Sequence, residues 1–479
     1  VGLMDRFPRN IFSTRGWGLL GAGATFLLAA QVMGRRDLLA LAIFLVVLPL
    51  LALAGTRVLK PRFQVYREFH PSTVETAATT TVLLAVARTG AGSGQALMEE
   101  KLPARFGESP AFRFPARSAA GGTSRYEYHL RSGKRGQFRI GPVTAEFSDP
   151  FGLSLHRHAI DDGDILTVTP AAVELPVTGL AGARGHDGVT ATRIRGNPSD
   201  DDVMTREYRH GDPMRRVHWA ATARHGELMV RQEESVTTPE ATIILDQRLA
   251  SFPRPAHSHT DVSGVADADG HEISTSEAFE WAVTATMSIC AHLSERNYAL
   301  RLLDTDGEPA FLHSPSAPEP EAEEYIGSAG LQSVAESLAA IHLSGPLHAR
   351  RDTKAASRRG TPAGADSAPR PFDDRLMDKL AAHRLRGPVL AILGTVTPRE
   401  ARDLAPAAGF GINAFALVIT EQAQETGEVL ETLRLGGWRA TAVSASTAYP
   451  AAWSAFDQDD AVTPPPRSAD APPGVGVRP

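Results

Sequence analysis

"ATIILDQRLAS" (Ala241–Ser251) is the stretch whose reading decides the fold of the second half of the chain. From Ala241 to Asp246 it is a short, mostly apolar run that ends at a carboxylate, which is the character of a buried strand. Downstream, "SEAFEWAVTATMSICAHLSERN" (Ser276–Asn297) has helical apolar spacing, and "YALRLLD" (Tyr298–Asp304) reads again as a strand. The alternation then repeats. "RLMDKLAAH", "PREARDLA" and "EVLETLRLGG" read as helices, and "GPVLAILG", "AFALVIT" and "WRATAVSA" as strands. Strands alternating with helices predict a parallel sheet covered on both faces, here over residues 241–456. Residues 305–371, rich in Pro, Ala, Ser and charge, read as a surface insertion with one helix near Leu331–Ile341. The tail 457–479 has the composition of a disordered segment.

Upstream the texture differs. Residues 61–175 carry short alternating runs at close spacing, among them "TTTVLLAVA", "SRYEYHL", "GQFRIGPVTAEF", "GLSLHRH" and "DILTVTP". Period-two alternation between Gly- and Ser-rich loops predicts an all-β, sandwich-like domain. Before it, residues 1–60 contain two uncharged apolar runs, Gly16–Met33 and Leu38–Ala54, separated by "GRRD". Each is just long enough to cross a bilayer as a helix, and together they predict a transmembrane hairpin anchored in lipid. Arg6, Arg9 and Arg15 precede it, and Arg57, Lys60, Arg62 and Arg67 follow, against Arg35 and Arg36 in the turn. The abundance of Ala, Arg, Gly and Pro is that of GC-rich bacteria, and the charge excess places the bulk of the chain on the cytoplasmic side of a bacterial cytoplasmic membrane.

Composition excludes some classes. A net charge of −6 and an isoelectric point near 6.3 disfavour nucleic acid as a partner. One cysteine, Cys290, permits neither an intrachain disulfide nor a Cys-based zinc site. No Gly-x-Ser-x-Gly elbow or Walker A loop occurs.

The densest chemistry lies in residues 176–240, between the two domains, as "REYRHGDPMRRVHWAATARHGELMVRQEE" (Arg206–Glu234). Six arginines face five carboxylates there, so the charges nearly cancel and ion pairing is favoured over phosphate binding. Gly211, Asp212 and Pro213 shape a turn, with Asp212 able to take bidentate bonds from Arg215, Arg216 or Arg224. Trp219 reads as a large apolar anchor with a guanidinium stacked on it. Zinc from His210, His218 and His225 is disfavoured, because spacings of eight and seven residues match no compact site.

This segment resembles the signature of a bacterial family, domain of unknown function 58, at Arg206, Glu207, Tyr208, Gly211, Asp212, Arg215, His218, Trp219, Ala223, Arg224 and Gly226. A second element, "KRGQFRIGPVTAEFSDPFGL" (Lys134–Leu153), is similar to the family's Arg-Gly strand and Asp-Pro-Phe-Gly turn, here Arg135, Gly136, Asp149, Pro150, Phe151 and Gly152. The resemblance implies that the α/β part is a Rossmann-like, von Willebrand factor type A-like domain. It also implies a MoxR-type AAA+ ATPase and other membrane proteins as partners. Type A domains hold Mg²⁺ through an Asp-x-Ser-x-Ser loop after the first strand. Here Asp246 is followed by Arg248 and Ala250 where the serines would stand, a degenerate site, so no metal or other cofactor is expected.

The expected function is therefore that of a membrane-anchored, non-enzymatic adaptor or scaffold for assembly of cell-envelope or membrane complexes, with the signature docking a protein partner. Two alternatives stand beside it. One is a cell-envelope enzyme using His218, Glu207 or Asp212 as acid or base. The other is a metal-dependent adhesion module facing outward.

Overall fold

The computed structural model describes residues 12–58, 62–89, 96–115, 122–149, 151–177, 205–208, 214, 217–231, 239–252, 273–345, 370–383, 387–421 and 426–458. Residues 459–479 of the expected tail and 346–369 of the expected insertion lie outside these, while residues 457 and 458 belong to the last helix.

Two apolar helices open the described chain, α1 (Thr14–Met33) and α2 (Arg36–Val58). Ser13 caps α1 by accepting the Gly16 N–H, and Gly34, at φ +65°, ends it in the left-handed conformation that glycine adopts without strain. The helices turn back on each other as a hairpin, and both are long and apolar enough to cross a membrane. The buried residues of α1 are Gly16, Gly23 and Ala30; the missing side chain of Gly23, which faces Ala42, Leu45 and Val46, lets α2 approach closely.

Ten strands follow: β1 (Phe63–His70), β2 (Thr73–Glu75), β3 (Thr79–Arg88), β4 (Ala96–Glu100) and β5 (Ala111–Phe114). The second five are β6 (Thr123–Arg131), β7 (Gly136–Ile140), β8 (Val143–Ser148), β9 (Leu155–Ala159) and β10 (Asp164–Thr169). They form three sheets, ordered β1-β3-β6, β2-β10-β7 and β5-β4-β8-β9, antiparallel except where β10 runs parallel to β2. Val82, Leu84 and Val86 on one face of β3 show the reason. Val82 joins the core with Phe138, Ile140, Leu166 and Val168, while Leu84 and Val86 join Met98, Val143 and Ala145. Between these cores Arg67, its side chain fully buried, pairs with Glu100, Asp161 and Asp164 at 2.5–2.9 Å.

The signature contributes β11 (Thr205–Glu207), the short helix α3 (Trp219–His225) and β12 (Met229–Arg231), with β11 and β12 antiparallel. The α/β part then begins at β13 (Glu240–Leu245), followed by α4 (Glu277–Ser294), β14 (Ala299–Leu303), β15 (Glu324–Tyr325) and α5 (Gly327–Ala339). Strands β16 (Val389–Leu393), β17 (Ala414–Ile419) and β18 (Arg439–Val443) alternate with helices Asp374–Ala382, Pro398–Leu404, Gly427–Leu435 and Tyr449–Gln458. One mixed sheet results, ordered β15-β14-β13-β16-β17-β18, parallel apart from the β14–β15 pair. Every residue of β13, β14, β16 and β17 is buried, as expected of strands covered on both faces. Residues 305–345 are part of this body. Glu324 and Tyr325 add the antiparallel edge, and Val334 and Leu338 of α5 enter the main core.

Candidate functional site

Four residue groups carry the chemistry, and the signature is the first. Its backbone is fixed by local bonds. The Tyr208 N–H donates to the Leu228 carbonyl at 2.8 Å, and the His218 N–H to that of Met229 at 2.8 Å. His218 caps α3, its Nδ1 accepting the Ala221 N–H at 3.1 Å, and Gly226 closes the helix at φ +76°. The Thr222 hydroxyl accepts from the Met229 N–H at 3.0 Å, tying α3 to β12. Val217, Met229 and Val230 are buried beneath.

The outer face differs from the expectation for Trp219. The indole is 65 % exposed, and Met214 is 56 % exposed. Trp219 is therefore no internal anchor. It is a large apolar side chain presented to the outside on a seven-residue helix that is itself well tied. Arg224 and Glu207 are exposed as well. Gly211, Asp212 and Arg215 lie outside the described residues, as do His210 and Arg216, and Arg206 contributes its backbone to β11.

The second group is the Lys134–Leu153 element. Arg135 is 2 % exposed and reaches from the β sheets into the α/β part. Its Nε and Nη2 donate to the two oxygens of Glu280 on α4, each at 2.9 Å. Its Nη1 donates to the Leu338 and Ala339 carbonyls at the end of α5, at 2.6 and 3.2 Å. Burial opposes the charge on Glu280, but the Arg135 guanidinium and the Thr275 hydroxyl outweigh it and hold the carboxyl below its ordinary range. Gly136 follows at φ +143°, a backbone conformation open to glycine. Farther along, Asp149 closes a turn. Its Oδ1 accepts the Phe151 N–H at 2.8 Å, and its Oδ2 accepts those of Leu153 and Ser154 at 2.7 and 2.5 Å. Burial works against this carboxylate too, yet these donors leave it with a lowered pKa. Gly152 adopts φ +68° and Phe151 is 65 % exposed, while Pro150 lies outside the described residues.

The third group sits at the carboxyl ends of β13 and β14. Asp246 is fully buried, and Arg248 folds back onto it. The Arg248 Nε donates to Asp246 Oδ1 at 2.9 Å and its Nη2 to Oδ2 at 2.8 Å, while Nη1 bonds Glu400. A guanidinium thus occupies the space between the two carboxylates, stacked 5.3 Å from the Phe372 ring centre. Gln247 and Arg248 then line a small cleft with Asp304, Thr305, Asp306 and His313. Burial pushes Asp304 up to about 7, with Asp306 and Glu308 adding repulsion against the two backbone N–H donors that favour its charge. Sequence reading identified Asp246 and Arg248 but not Asp304, whose neighbours come together only through the turn Asp304–Glu308.

The fourth group lies at the opposite end of β13. Glu240, Glu324 and His383 bring one ligand atom each within 4.8 Å of the others. His383 Nδ1 is 3.1 Å from Glu240 and 3.8 Å from Glu324. The set could hold a cation through one imidazole and two carboxylates, and equally forms an ion pair when His383 is protonated. Nothing in the sequence pointed to it, because the three residues come from a strand start, an edge strand and a helix end.

Residues 204–251 match the family described as Protein of unknown function DUF58, the segment that holds the signature, β13 and Asp246. No curated protein matches the chain. Among solved structures, an alkylpurine DNA glycosylase, AlkC, of Pseudomonas fluorescens bound to DNA containing an abasic-site analogue is 12 % identical. It matches with a TM-score of 0.14 over 33 % of this chain and 46 % of its own. Cwp6 from Clostridium difficile is 7 % identical with a TM-score of 0.12, over 79 % of this chain and 53 % of its own. The chain thus spans about half the length of each, and neither likeness bears on its fold.

Proposed function

We infer that the chain is a membrane-anchored, non-enzymatic adaptor that docks a protein partner through its family signature. The observation that carries the reading is Trp219, 65 % exposed on a helix capped by His218 and tied to β12. Exposed apolar surface on a fixed scaffold marks a contact surface, and Trp is the residue type most enriched where truncation costs binding energy. The partner is a MoxR-type AAA+ ATPase, which the resemblance implies, and the joint task is assembly of cell-envelope or membrane complexes.

The rest of the molecule suits that role. Counted from β13, the α/β sheet has the order 3-2-1-4-5-6 with an antiparallel edge, which supports a Rossmann-like, von Willebrand type A-like domain. Cores shared between β1-β3-β6 and the sheets β2-β10-β7 and β5-β4-β8-β9 support a sandwich-like domain. The two apolar helices support a cytoplasmic-membrane anchor, with the charge bias placing the domains on the cytoplasmic side. Arg248 supplies a fixed positive charge between Asp246 and Glu400, which favours a docking role without a metal over an adhesion module. His218 is engaged through Nδ1 in the α3 cap, which favours the adaptor over acid–base catalysis at that residue.

Co-purification tests the reading. Detergent-solubilised full chain should retain a MoxR-type ATPase from its own genome, and Trp219→Ala should lose it. Equal retention by both proteins would refute the docking role.

A further inference from the structure

The turn at Asp149, Phe151 and Gly152 lies against the start of α1. The Ser13 hydroxyl donates to the Gly152 carbonyl at 2.6 Å, and the Ser13 N–H to the Leu153 carbonyl at 2.9 Å. Phe12 pairs with Ser154 as an antiparallel bridge. A Cβ on Gly16 would meet the Leu153 carbonyl oxygen at 2.2 Å, so the approach demands glycine there. The second helix of the hairpin, α2, also approaches the β sheets, at β9.

Depth follows from helix geometry. Ser13 to Gly16 is three residues, or about 4.5 Å of rise at 1.5 Å per residue. A bilayer of about 40–45 Å with a core of about 30 Å leaves headgroup layers of roughly 5–8 Å on each side. A turn bonded to these residues stands at headgroup depth if α1 spans. At that depth Phe151 projects with 65 % of its surface uncovered, and Trp17, one turn into α1, is 60 % exposed. Trp17 meets Phe12 edge-on at 5.6 Å. Trp and Tyr gather at this level of membrane proteins because one part of the ring is apolar and the other polar, and the wholly apolar ring of Phe is stabilised by burial on the acyl side. The turn is also rigid, with three backbone N–H groups held by Asp149.

We propose that this turn is a membrane foot: Phe151 inserts into the leaflet at which α1 begins and fixes the β sheets against the bilayer. The proposal rests on the reading that α1 and α2 span a membrane. Lipid is favoured over a protein as the occupant because the turn is continuous with the anchor through Ser13, Gly16 and Phe12. On this account the family's Asp-Pro-Phe-Gly turn and its Arg-Gly pair divide the work of orientation. The turn holds the β sheets to the membrane, and Arg135 holds the α/β part to the β sheets.

The test uses full-length protein in vesicles of phosphatidylcholine and phosphatidylglycerol, with a nitroxide attached at a cysteine replacing Phe151, Leu28 or Leu435 in turn. Cys290 is fully buried and its thiol pKa is raised by burial, so it does not compete for the label. Leu28 is an exposed residue within α1 and Leu435 an exposed residue of the α/β part. The label at 151 should be several-fold less accessible to an aqueous nickel chelate than that at 435, with the label at 28 more shielded still. If 151 matches 435 while 28 is shielded, the foot is wrong and the spans stand. If 28 is also accessible, the spanning helices fail and the foot with them.

Discussion

Asp304 illustrates how burial changes a carboxyl group. Its folded pKa is raised from the ordinary carboxylate value to about 7, chiefly by desolvation. A raised folded value means that the folded state binds the proton more tightly than the unfolded chain does. The contribution to stability is full below about pH 4 and is lost as pH rises through 7. The melting temperature of the full chain in detergent should therefore contain a component that falls between pH 5 and 8. Asp304→Asn, which keeps an oxygen for the Asp306 and Glu308 N–H groups, should remove that component; an unchanged slope would show that Asp304 is not its source. Arg135 makes the opposite case, a buried charge that is fully partnered. Arg135→Ala leaves Glu280 without its guanidinium, and breaking such a pair costs roughly 3–5 kcal/mol. Urea unfolding should show a lowered midpoint for Arg135→Ala, and the double variant with Glu280→Gln should recover part of the loss. Losses that simply add would show that the pair is not coupled.

The helical hairpin depends on small side chains at the contact between its two helices. A Cβ on Gly23 would lie 2.6 Å from Val46 Cγ2, whereas one on Gly21 would meet nothing within 4 Å. Gly23→Leu should thus separate α1 from α2 and destabilise the solubilised protein by roughly 1–3 kcal/mol, the usual cost of overpacking. Gly21→Leu should be near neutral, and equal effects at both positions would contradict the packing. Elements of this kind were legible in the sequence because each announces itself locally. The runs Ile243–Leu245, Val389–Leu393 and Ala414–Ile419 are apolar throughout, and α4 has clear helical spacing, so strands and helices fall where the pattern puts them. The edge strand β15 has two residues and no periodicity to read. Glu240 and His383 are 143 residues apart, and Arg135 and Glu280 are 145 apart, so only the folded chain joins them. Trp219 misled for another reason. An indole in a run of charges suggests burial, and whether a neighbour covers it is a property of the tertiary structure.

At the scale of the whole molecule, the described contacts form a chain of attachments from α1 through the β sheets to the α/β part. Ser13 and Gly16 join α1 to the turn at Asp149, and Arg135 joins the β sheets to α4 and α5. The Val173 N–H adds a further link to the Ser288 hydroxyl of α4 at 3.0 Å. The proposed adaptor role calls for such links, since it requires a partner to be placed relative to the membrane. The most direct test of this account is a titration of the full chain, reconstituted in lipid nanodiscs, with a MoxR-type ATPase. Replacement of a binding hot spot by alanine costs at least about 2 kcal/mol, or roughly thirty-fold in affinity. Trp219→Ala should weaken binding by about that factor while leaving the melting temperature unchanged. An affinity unaltered by Trp219→Ala would contradict the account.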